Sequence, residues 1–154
     1  MYSYKIIINK LLKRNISTSI AESCTGGLLS SKFTSIAGIS KIFNMGLITY
    51  SNKSKFSLLK ISQNDLNKYG AVSHLIAELM VRNLHQLTKS KLCISTTGIA
   101  GPSGGTKVKP VGLIYFGIKY RNKTIIIEKK FKGSRIQIQQ KTVKAIFTTL
   151  EKLI

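Results

Sequence analysis

Two short segments of this 154-residue chain carry residues whose types suit chemistry better than core packing. The first runs from Ser23 to Gly27 and places a serine, a cysteine and a threonine before two glycines. It falls where a predicted strand meets a predicted helix, and a helix start offers backbone N–H groups and the positive end of a dipole. Such a junction suits a phosphate or an oxyanion, with a hydroxyl placed to attack a carbonyl carbon. The alternative, which this segment taken alone favours, is a helix cap with glycines for close packing.

The second segment is a loop from Gly98 to Thr106 that holds four glycines and one proline in nine residues. Glycine lets a ligand approach the backbone closely, and proline fixes turns. The loop is not a phosphate-binding P-loop, because the spacing Gly-x-x-x-x-Gly-Lys-Ser/Thr is absent. A plain surface loop is the alternative, but the length and glycine content favour a binding role.

The chain offers few candidates for a general base. Its only histidines, His74 and His85, fall on the polar face of a predicted helix, and no acid is placed by sequence to orient either one. A Ser-His-Asp triad is therefore disfavoured. Cysteines, histidines and acids show no metal-ligand spacing, so we expect no metal. A desolvated lysine loses its proton more readily and can activate a serine, but spacing alone does not choose among the lysines.

The charge balance is strongly basic, with 25 lysines and arginines against five acids and a formal net charge of +20. Only four of the 25 are arginines, and the lysines are scattered along the chain rather than gathered in one block. No zinc-finger spacing, RNA-recognition signature or basic heptad region is present. We therefore expect compositional lysine enrichment and at most nonspecific nucleic-acid binding, while the charge attracts anionic small molecules.

Length and composition favour one domain over residues 1–154, with no room for a second. Two cysteines are too few for a disulfide scaffold, which favours a reducing cytoplasm. No apolar run approaches the roughly 20 residues of a membrane span, and the first 15 residues lack the pattern of a secretory signal. We expect a cytoplasmic protein with no membrane partner.

Hydrophobic periodicity then predicts the elements that must position these segments. Helices are predicted over 4–13, 28–36, 74–88 and 135–152, with a shorter one from residue 51 or 52 to 59. Strands are predicted over 16–21, 42–50, 92–97, 111–120 and 124–131. The helix over 74–88 has Ser73 as its N-cap, and its predicted apolar face consists of Leu75, Ile76, Leu79, Met80, Leu84 and Leu87. The early alternation and the late hairpin predict an α/β layered fold with a mixed sheet.

Taken together, the motifs resemble the CinA C-terminal family, whose free-standing members are nicotinamide mononucleotide deamidases. The resemblance covers roughly residues 5–152, and five motifs in the same order make it highly specific. They are Ala21–Gly27, Gly46–Asn52 with Lys55 shortly after, Gly70–Ser73, Thr97–Gly105 and Lys109–Gly112.

The resemblance implies a three-layer α/β/α sandwich and a Ser/Lys amidohydrolase that uses neither metal nor cofactor. The expected reaction converts nicotinamide mononucleotide to nicotinate mononucleotide and ammonia, with Ser23 as nucleophile, Lys55 as base and Tyr50 lining the site. The expected substrate-binding residues are Thr25, Gly26, Gly27, Asn52, Gly98, Gly101, Gly104, Gly105 and Arg135. An arginine at position 135 of so lysine-rich a chain suggests a bidentate contact. The family also suggests a homo-oligomer.

The chain departs from the family pattern at several positions. Lys107 and Val108 stand where relatives commonly carry acids, Ser134 and Lys53 each replace an acid, and an arginine expected near Gln139 is absent. These changes leave a second interpretation open. In it the chain is a divergent, non-catalytic relative that binds nucleotides or nucleic acid through its basic surface. An amidase with another pyridine or ribonucleotide substrate is a third reading. Cys24 as nucleophile is a variant of the first, because a helix start favours a thiolate.

Overall fold

A computed structural model describes residues 4–154. The helices are α1 (Tyr4–Lys13), α2 (Leu28–Thr34), α3 (Asn52–Leu59), α4 (Gln63–Tyr69), α5 (His74–Thr88) and α6 (Arg135–Leu153), with one 3-10 turn at Ile39–Lys41. The strands are β1 (Thr18–Glu22), β2 (Phe43–Ile48), β3 (Leu92–Gly98), β4 (Leu113–Tyr120) and β5 (Lys123–Lys130).

The five strands form one mixed sheet in the order β2-β1-β3-β4-β5. The pairs β1–β2 and β1–β3 are parallel, whereas β4 and β5 run antiparallel as the predicted hairpin. Glu22 at the end of β1 pairs with Ile48 of β2 and with Thr96 of β3. The carboxyl ends of the three parallel strands therefore meet at one edge, where ligands bind in open α/β sheets.

Helices cover both faces of the sheet, which confirms the three-layer α/β/α sandwich. Successive residues of a strand point to opposite faces. Ile20 therefore joins the core under α1, α2 and α6, and Ala21 joins the core under α3, α4 and α5. The inward residues predicted for α6 are all buried: Ile138, Val143, Ile146, Phe147 and Leu150.

Two features differ from the sequence-based expectations. The short helix α4 was not predicted, because its seven residues are mostly polar and only Leu66 is buried. On α5 the buried stripe is rotated, so that Leu87 is 54% exposed while Ala77 and Val81 are buried. The small side chain of Ala77 lets the helix lie close to the sheet, where Ser95 Oγ donates to the Ala77 carbonyl at 2.8 Å.

Candidate active site

Ser23 lies directly after β1, at the edge where the parallel strands end. Its backbone N–H donates to the carbonyl of Thr96 at 3.0 Å, which fixes the start of the turn against β3. The turn into α2 then passes through Gly26 and Gly27, whose φ angles of 56° and 101° are in the left-handed region that favours glycine. These two glycines allow the chain to reverse tightly and leave the Ser23 side chain facing a cavity.

Lys55 lies on α3 and is the charged partner of Ser23. The helix starts with a capping box between Ser51 and Ser54, and this start directs Lys55 inward, where it is 1% exposed. Lys55 Nζ donates to Ser23 Oγ at 3.1 Å and to the Thr49 carbonyl at 2.7 Å. Burial lowers the pKa of Lys55 from 10.5 to about 8, because desolvation disfavours the ammonium form. A lysine with that pKa exchanges its proton near neutral pH.

The end of β2 brings Lys55 its second partner. The Thr49 N–H donates to the Glu22 carbonyl at 2.8 Å, so the parallel pairing of β1 and β2 continues one residue past the strands. The Thr49 carbonyl, which accepts from Lys55 Nζ, is thereby held beside the Ser23 turn. No acidic side chain of residues 4–154 forms an ion pair with Lys55. No direct ion pair therefore opposes the lowering of its pKa by burial.

Glu22 is a buried carboxylate whose structural role the sequence analysis missed. One oxygen, Oε2, accepts from Thr25 Oγ1 at 2.6 Å and from the N–H groups of Gly27 and Leu29 at 3.1 and 3.0 Å. The other, Oε1, accepts from the Ser30 N–H at 2.7 Å and its hydroxyl at 2.6 Å. The feature that could have indicated this structural role is the position of an acid at the end of a fully buried strand, in a chain that has only five acids.

The five contacts to Glu22 correct the expectation of a free helix start for an anion. The N–H groups of Gly27, Leu29 and Ser30 already donate to a carboxylate and are not open to a substrate. Within residues 4–154, the backbone N–H groups of Cys24 and Thr25 donate to no main-chain carbonyl. These two donors, immediately after the Ser23 hydroxyl, are the ones left for an oxyanion.

Cys24 does not fulfil the expectation of a helix-start thiolate. Its side chain is 4% exposed, and burial raises the pKa of its thiol to about 12. The thiol therefore stays protonated at neutral pH, and a protonated thiol is a poor nucleophile. Between adjacent residues Ser23 and Cys24, only Ser23 is bonded to the amine of Lys55.

Tyr50 and Arg135 meet at the mouth of the site. Arg135, the first residue of α6, donates to the Tyr50 hydroxyl and to the Gly101 carbonyl, both at 2.6 Å. Tyr50 is 57% exposed, so this bridge lies at the solvent edge. Behind it is a cavity of about 330 Å³, here called the Ser23 cavity. It is lined by Ser23, Cys24, Tyr50, Lys55, Ala71, Val72, Thr97, Gly98, Ile99, Ala100, Gly101, Ser103, Gly104 and Arg135.

Five expected substrate-binding residues lie outside this lining. Thr25 is buried against Glu22 and Thr96 through its hydroxyl, and Gly26 and Gly27 shape the turn. Asn52 is the exposed first residue of α3. Gly105 packs against the loop that follows, where an added Cβ would meet the Val111 nitrogen at 2.6 Å. Ala71 and Val72 line the cavity although no sequence signal singled them out.

The structure shows where the residues that depart from the family pattern lie. Ser134 caps α6 by accepting from the Gln137 N–H, so it keeps a capping function that aspartate also performs. Gln139 Nε2 donates to the Cys24 carbonyl at 2.9 Å and thereby ties α6 to the Ser23 turn. Lys107 and Val108 lie on an exposed loop, and Val108 is 85% exposed.

The two histidines lie away from the Ser23 cavity. His74 is exposed near Glu78, and His85 Nδ1 is 3.0 Å from the Ser90 carbonyl. Within residues 4–154 no three side chains of the metal-binding types converge on one point. In the same range no helix combines the length and apolarity needed to cross a membrane.

Comparison with known proteins gives a consistent result. The model of the CinA C-terminal domain family matches residues 3–154. A competence-damage inducible protein of Clostridium botulinum is 45% identical over 148 residues, which are 96% of this chain and 36% of the relative. A Caldicellulosiruptor saccharolyticus protein of the same name is 41% identical over 150 residues. The chain thus spans about a third of the length of the curated relatives it matches.

Solved structures agree over nearly the whole chain. A CinA superfamily protein from Escherichia coli superposes with a TM-score of 0.92 at 25% identity, covering 99% of this chain and 91% of that one. The competence/damage inducible protein CihA from Agrobacterium tumefaciens gives a TM-score of 0.89 at 36% identity, covering 97% and 90%.

Proposed function

This chain belongs to the CinA C-terminal domain family, and from that premise we propose that it is an amidohydrolase that uses Ser23 and Lys55. The observation that carries the proposal is the 3.1 Å contact between Lys55 Nζ and Ser23 Oγ, made by a buried lysine whose pKa is lowered to about 8. A hydroxyl bonded to a neutral amine is an activated nucleophile. The family includes amidohydrolases, which supports the reaction class.

The proposed reaction proceeds through an acyl-enzyme. Neutral Lys55 takes the Ser23 proton as Oγ bonds to the carboxamide carbon, and the carbonyl oxygen becomes an oxyanion. The C–N bond then breaks while Lys55 returns the proton to nitrogen, which leaves as ammonia. A water molecule next gives a proton to Lys55 and attacks the ester. Collapse releases the carboxylate and restores Ser23 with its proton.

The backbone N–H groups of Cys24 and Thr25 are the proposed oxyanion donors. They follow the nucleophile directly, and within residues 4–154 neither donates to a main-chain carbonyl. Donors of this kind are fixed before the reaction begins and contribute about 3 kcal/mol to lowering the barrier. Glu22 supports them indirectly, because it holds the turn on the α2 side.

We propose nicotinamide mononucleotide as the substrate, on the resemblance of the motifs to nicotinamide mononucleotide deamidases. The site has features that suit a small anionic nucleotide. The Ser23 cavity of about 330 Å³ is at the lower end of the range for small-molecule sites. Arg135 at its mouth keeps further N–H donors beyond the two already bonded, and guanidinium groups bind phosphate bidentately.

We propose a single amidohydrolase domain over residues 1–154, acting in the cytoplasm as a homo-oligomer on a small-molecule substrate. No cofactor or metal enters the proposed steps.

The decisive experiment measures ammonia release from nicotinamide mononucleotide by the purified protein. Ser23→Ala and Lys55→Ala should each abolish release, because they remove the nucleophile and the base. Matched controls come from the exposed face of α3, where Ser57→Ala and Lys53→Ala should leave release unchanged. Circular dichroism confirms that each variant is folded.

An added arm, Arg135→Lys, tests the substrate phosphate contact. A lysine keeps the charge but loses the bidentate geometry, so KM should rise about tenfold or more while kcat changes little. An unchanged KM contradicts the role of Arg135. If the folded wild-type protein releases no ammonia, the amidohydrolase proposal is contradicted. The remaining interpretation is then a divergent, non-catalytic relative that binds nucleotides or nucleic acid.

A further inference from the structure

A second cavity lies at the opposite end of the sheet from Ser23. It is a cleft of about 890 Å³, larger than the Ser23 cavity, and we call it the basic cleft. Five cationic side chains line it, and none of its lining side chains is acidic: the five are Arg14, Lys89, Lys91, Lys119 and Arg121. Neither the family resemblance nor the proposed reaction assigns anything to this place.

Three turns that are far apart in sequence build the basic cleft. They are the turn after α1, the turn between α5 and β3, and the hairpin turn between β4 and β5. Hydrogen bonds join them, since the Lys91 N–H donates to Ser17 Oγ at 3.0 Å and the Leu92 N–H to the Ser17 carbonyl at 2.9 Å. Leu92 also pairs with Tyr120 across the sheet. The cleft is therefore a fixed part of the fold, roughly 17 Å from Ser23 by the length of β1.

Three of the five cations of the basic cleft are held by main-chain oxygens, and within residues 4–154 none of the five pairs with an acidic side chain. Lys91 Nζ donates to the Asn15 carbonyl, and Lys119 Nζ donates to the Arg121 carbonyl, both at 3.3 Å. Arg14 donates to the main-chain oxygen of Ile154. The ion pairs of residues 4–154 lie elsewhere, at Glu78 and Glu128. Like charges gathered around one cleft repel one another, and a bound anion would relieve that repulsion.

The use of arginine separates this cleft from the general lysine enrichment. Arginine is rare in the chain, with four residues among 25 cations. Arg82 pairs with Glu78, and Arg135 closes the Ser23 cavity. The remaining two, Arg14 and Arg121, both line the basic cleft. Arginine presents a planar fork of donors that matches phosphate oxygens, so its concentration here points to a phosphate ligand.

We propose that the basic cleft binds an oligophosphate, meaning a small molecule with two or more linked phosphate groups. Five cations and about 890 Å³ exceed what a single phosphate needs. A single-stranded nucleic acid fits less well, because such ligands stack bases on exposed aromatic rings. Two aromatic rings line the cleft. Tyr120 is buried, with the Arg121 guanidinium 5.2 Å from its ring centre, and the half-buried His85 ring is held with Nδ1 3.0 Å from the Ser90 carbonyl.

The test is calorimetric titration of the full chain with inorganic tripolyphosphate at about 150 mM NaCl, where long-range attraction is screened. We expect one site per chain. The variant Lys89→Gln/Lys91→Gln removes two exposed cations of the cleft and should weaken binding about a hundredfold, since each charge-assisted contact is worth about one tenfold step. A matched control, Lys5→Gln/Lys129→Gln, removes the same charge from exposed positions outside the cleft and should bind like wild type.

Two further titrations identify the place and the source of the ligand. Arg135→Gln should leave tripolyphosphate binding unchanged, because Arg135 belongs to the Ser23 cavity. Adenosine triphosphate should bind with an affinity at least equal to that of tripolyphosphate. Tighter binding indicates that the cleft also recognises the nucleoside, and equal binding indicates that it recognises the phosphates alone.

Four outcomes would overturn the proposal. The first is no binding of tripolyphosphate to the wild-type chain. The second is equal weakening in the cleft variant and its charge-matched control, which would mean general charge attraction. The third is loss of binding in Arg135→Gln alone, which would place the ligand in the Ser23 cavity. The fourth is a single-stranded oligonucleotide that binds more tightly than tripolyphosphate and is lost in the cleft variant. None depends on amidohydrolase activity.

Discussion

Lys55 illustrates how a common residue acquires a chemical property from its surroundings. The chain has 21 lysines, and Lys55 is the one that is fully buried in the described residues. Its hydrogen-bond partners are a hydroxyl and a carbonyl rather than a carboxylate, and desolvation by burial outweighs the opposing charge interaction with Cys24. Its pKa falls to about 8, whereas a lysine in water remains protonated at that pH.

The lowered pKa of Lys55 predicts the pH dependence of activity. Only about a tenth of Lys55 is neutral at pH 7, since its pKa is about 8. The value of kcat/KM should therefore rise about tenfold per pH unit below pH 8 and level off above it. Lys55→Arg should be inactive throughout, because arginine stays protonated. A flat profile between pH 6 and 9 in the wild type would contradict Lys55 as the base.

A stability measurement tests the same pKa without turnover. Below pH 8 both the folded and unfolded chains hold the Lys55 proton, and burying that charge costs about 3 kcal/mol. Between pH 8 and 10.5 the unfolded chain binds more protons than the folded one, so stability rises with pH. The Lys55→Met variant lacks the ionisable group, so its stability does not have this dependence on pH. Chemical denaturation should show that the free energy of unfolding of the wild type rises relative to that of Lys55→Met between pH 8 and 10.5. Parallel pH curves for the two proteins would contradict the lowered pKa.

The junction of β1 and α2 shows how one element positions the reacting group of another. Glu22 ends a buried strand and accepts hydrogen bonds from the first turn of α2. It holds the segment from Thr25 to Ser30 as one unit, with Ser23 at its start. Removing one partner of a buried, fully bonded charge is costly, because its donors are then left unsatisfied.

Replacement of Glu22 by glutamine should therefore destabilise the fold and disturb the Ser23 turn. The amide places an N–H₂ group against donors, and the free energy of unfolding should fall by about 3 kcal/mol. Urea denaturation measures this change. Glu151→Gln, an exposed acid on α6, is the matched control and should change stability by less than about 0.5 kcal/mol. Equal effects of the two variants would contradict the role of Glu22.

At the scale of the whole molecule, the dominant feature is uncompensated positive charge. The net charge is +20, and within the described residues only two ion pairs join lysine or arginine to an acid, Arg82–Glu78 and Lys130–Glu128. Self-repulsion destabilises a compact state, and the Ser23 cavity and the basic cleft sit at opposite ends of the sheet within the same positive field. That field attracts anions to both places.

Because salt screens this repulsion, we predict that the stability of the fold rises with ionic strength. The melting temperature should increase between about 20 and 300 mM NaCl, as the screening length shortens. Sodium chloride is the appropriate salt, because phosphate and sulfate are themselves candidate ligands of the basic cleft. Differential scanning calorimetry measures the change. A melting temperature that is flat or falls over this range would show that repulsion is not a significant term.

Local patterns in the sequence were sufficient for most elements and for the layered fold. The apolar spacing of α1 and α6 and the hairpin of β4 and β5 agree with the structure to within a few residues. The polar helix α4 and the exposed Leu87 were missed, since neither follows from the apolar periodicity of its own segment. Close packing of Ala77 against the sheet decided the orientation of α5, and periodicity alone does not include that contact.

For the site, the sequence determined which residue types were present and, through its motifs, the family. A serine before two glycines and a glycine-rich loop are local features and can be read directly. The contact between Ser23 and Lys55, the burial that lowers the lysine pKa, and the five bonds to Glu22 were decided by tertiary structure alone. The physical reason is that desolvation and hydrogen bonding depend on neighbours brought together by strand pairing, and those neighbours are distant in the chain.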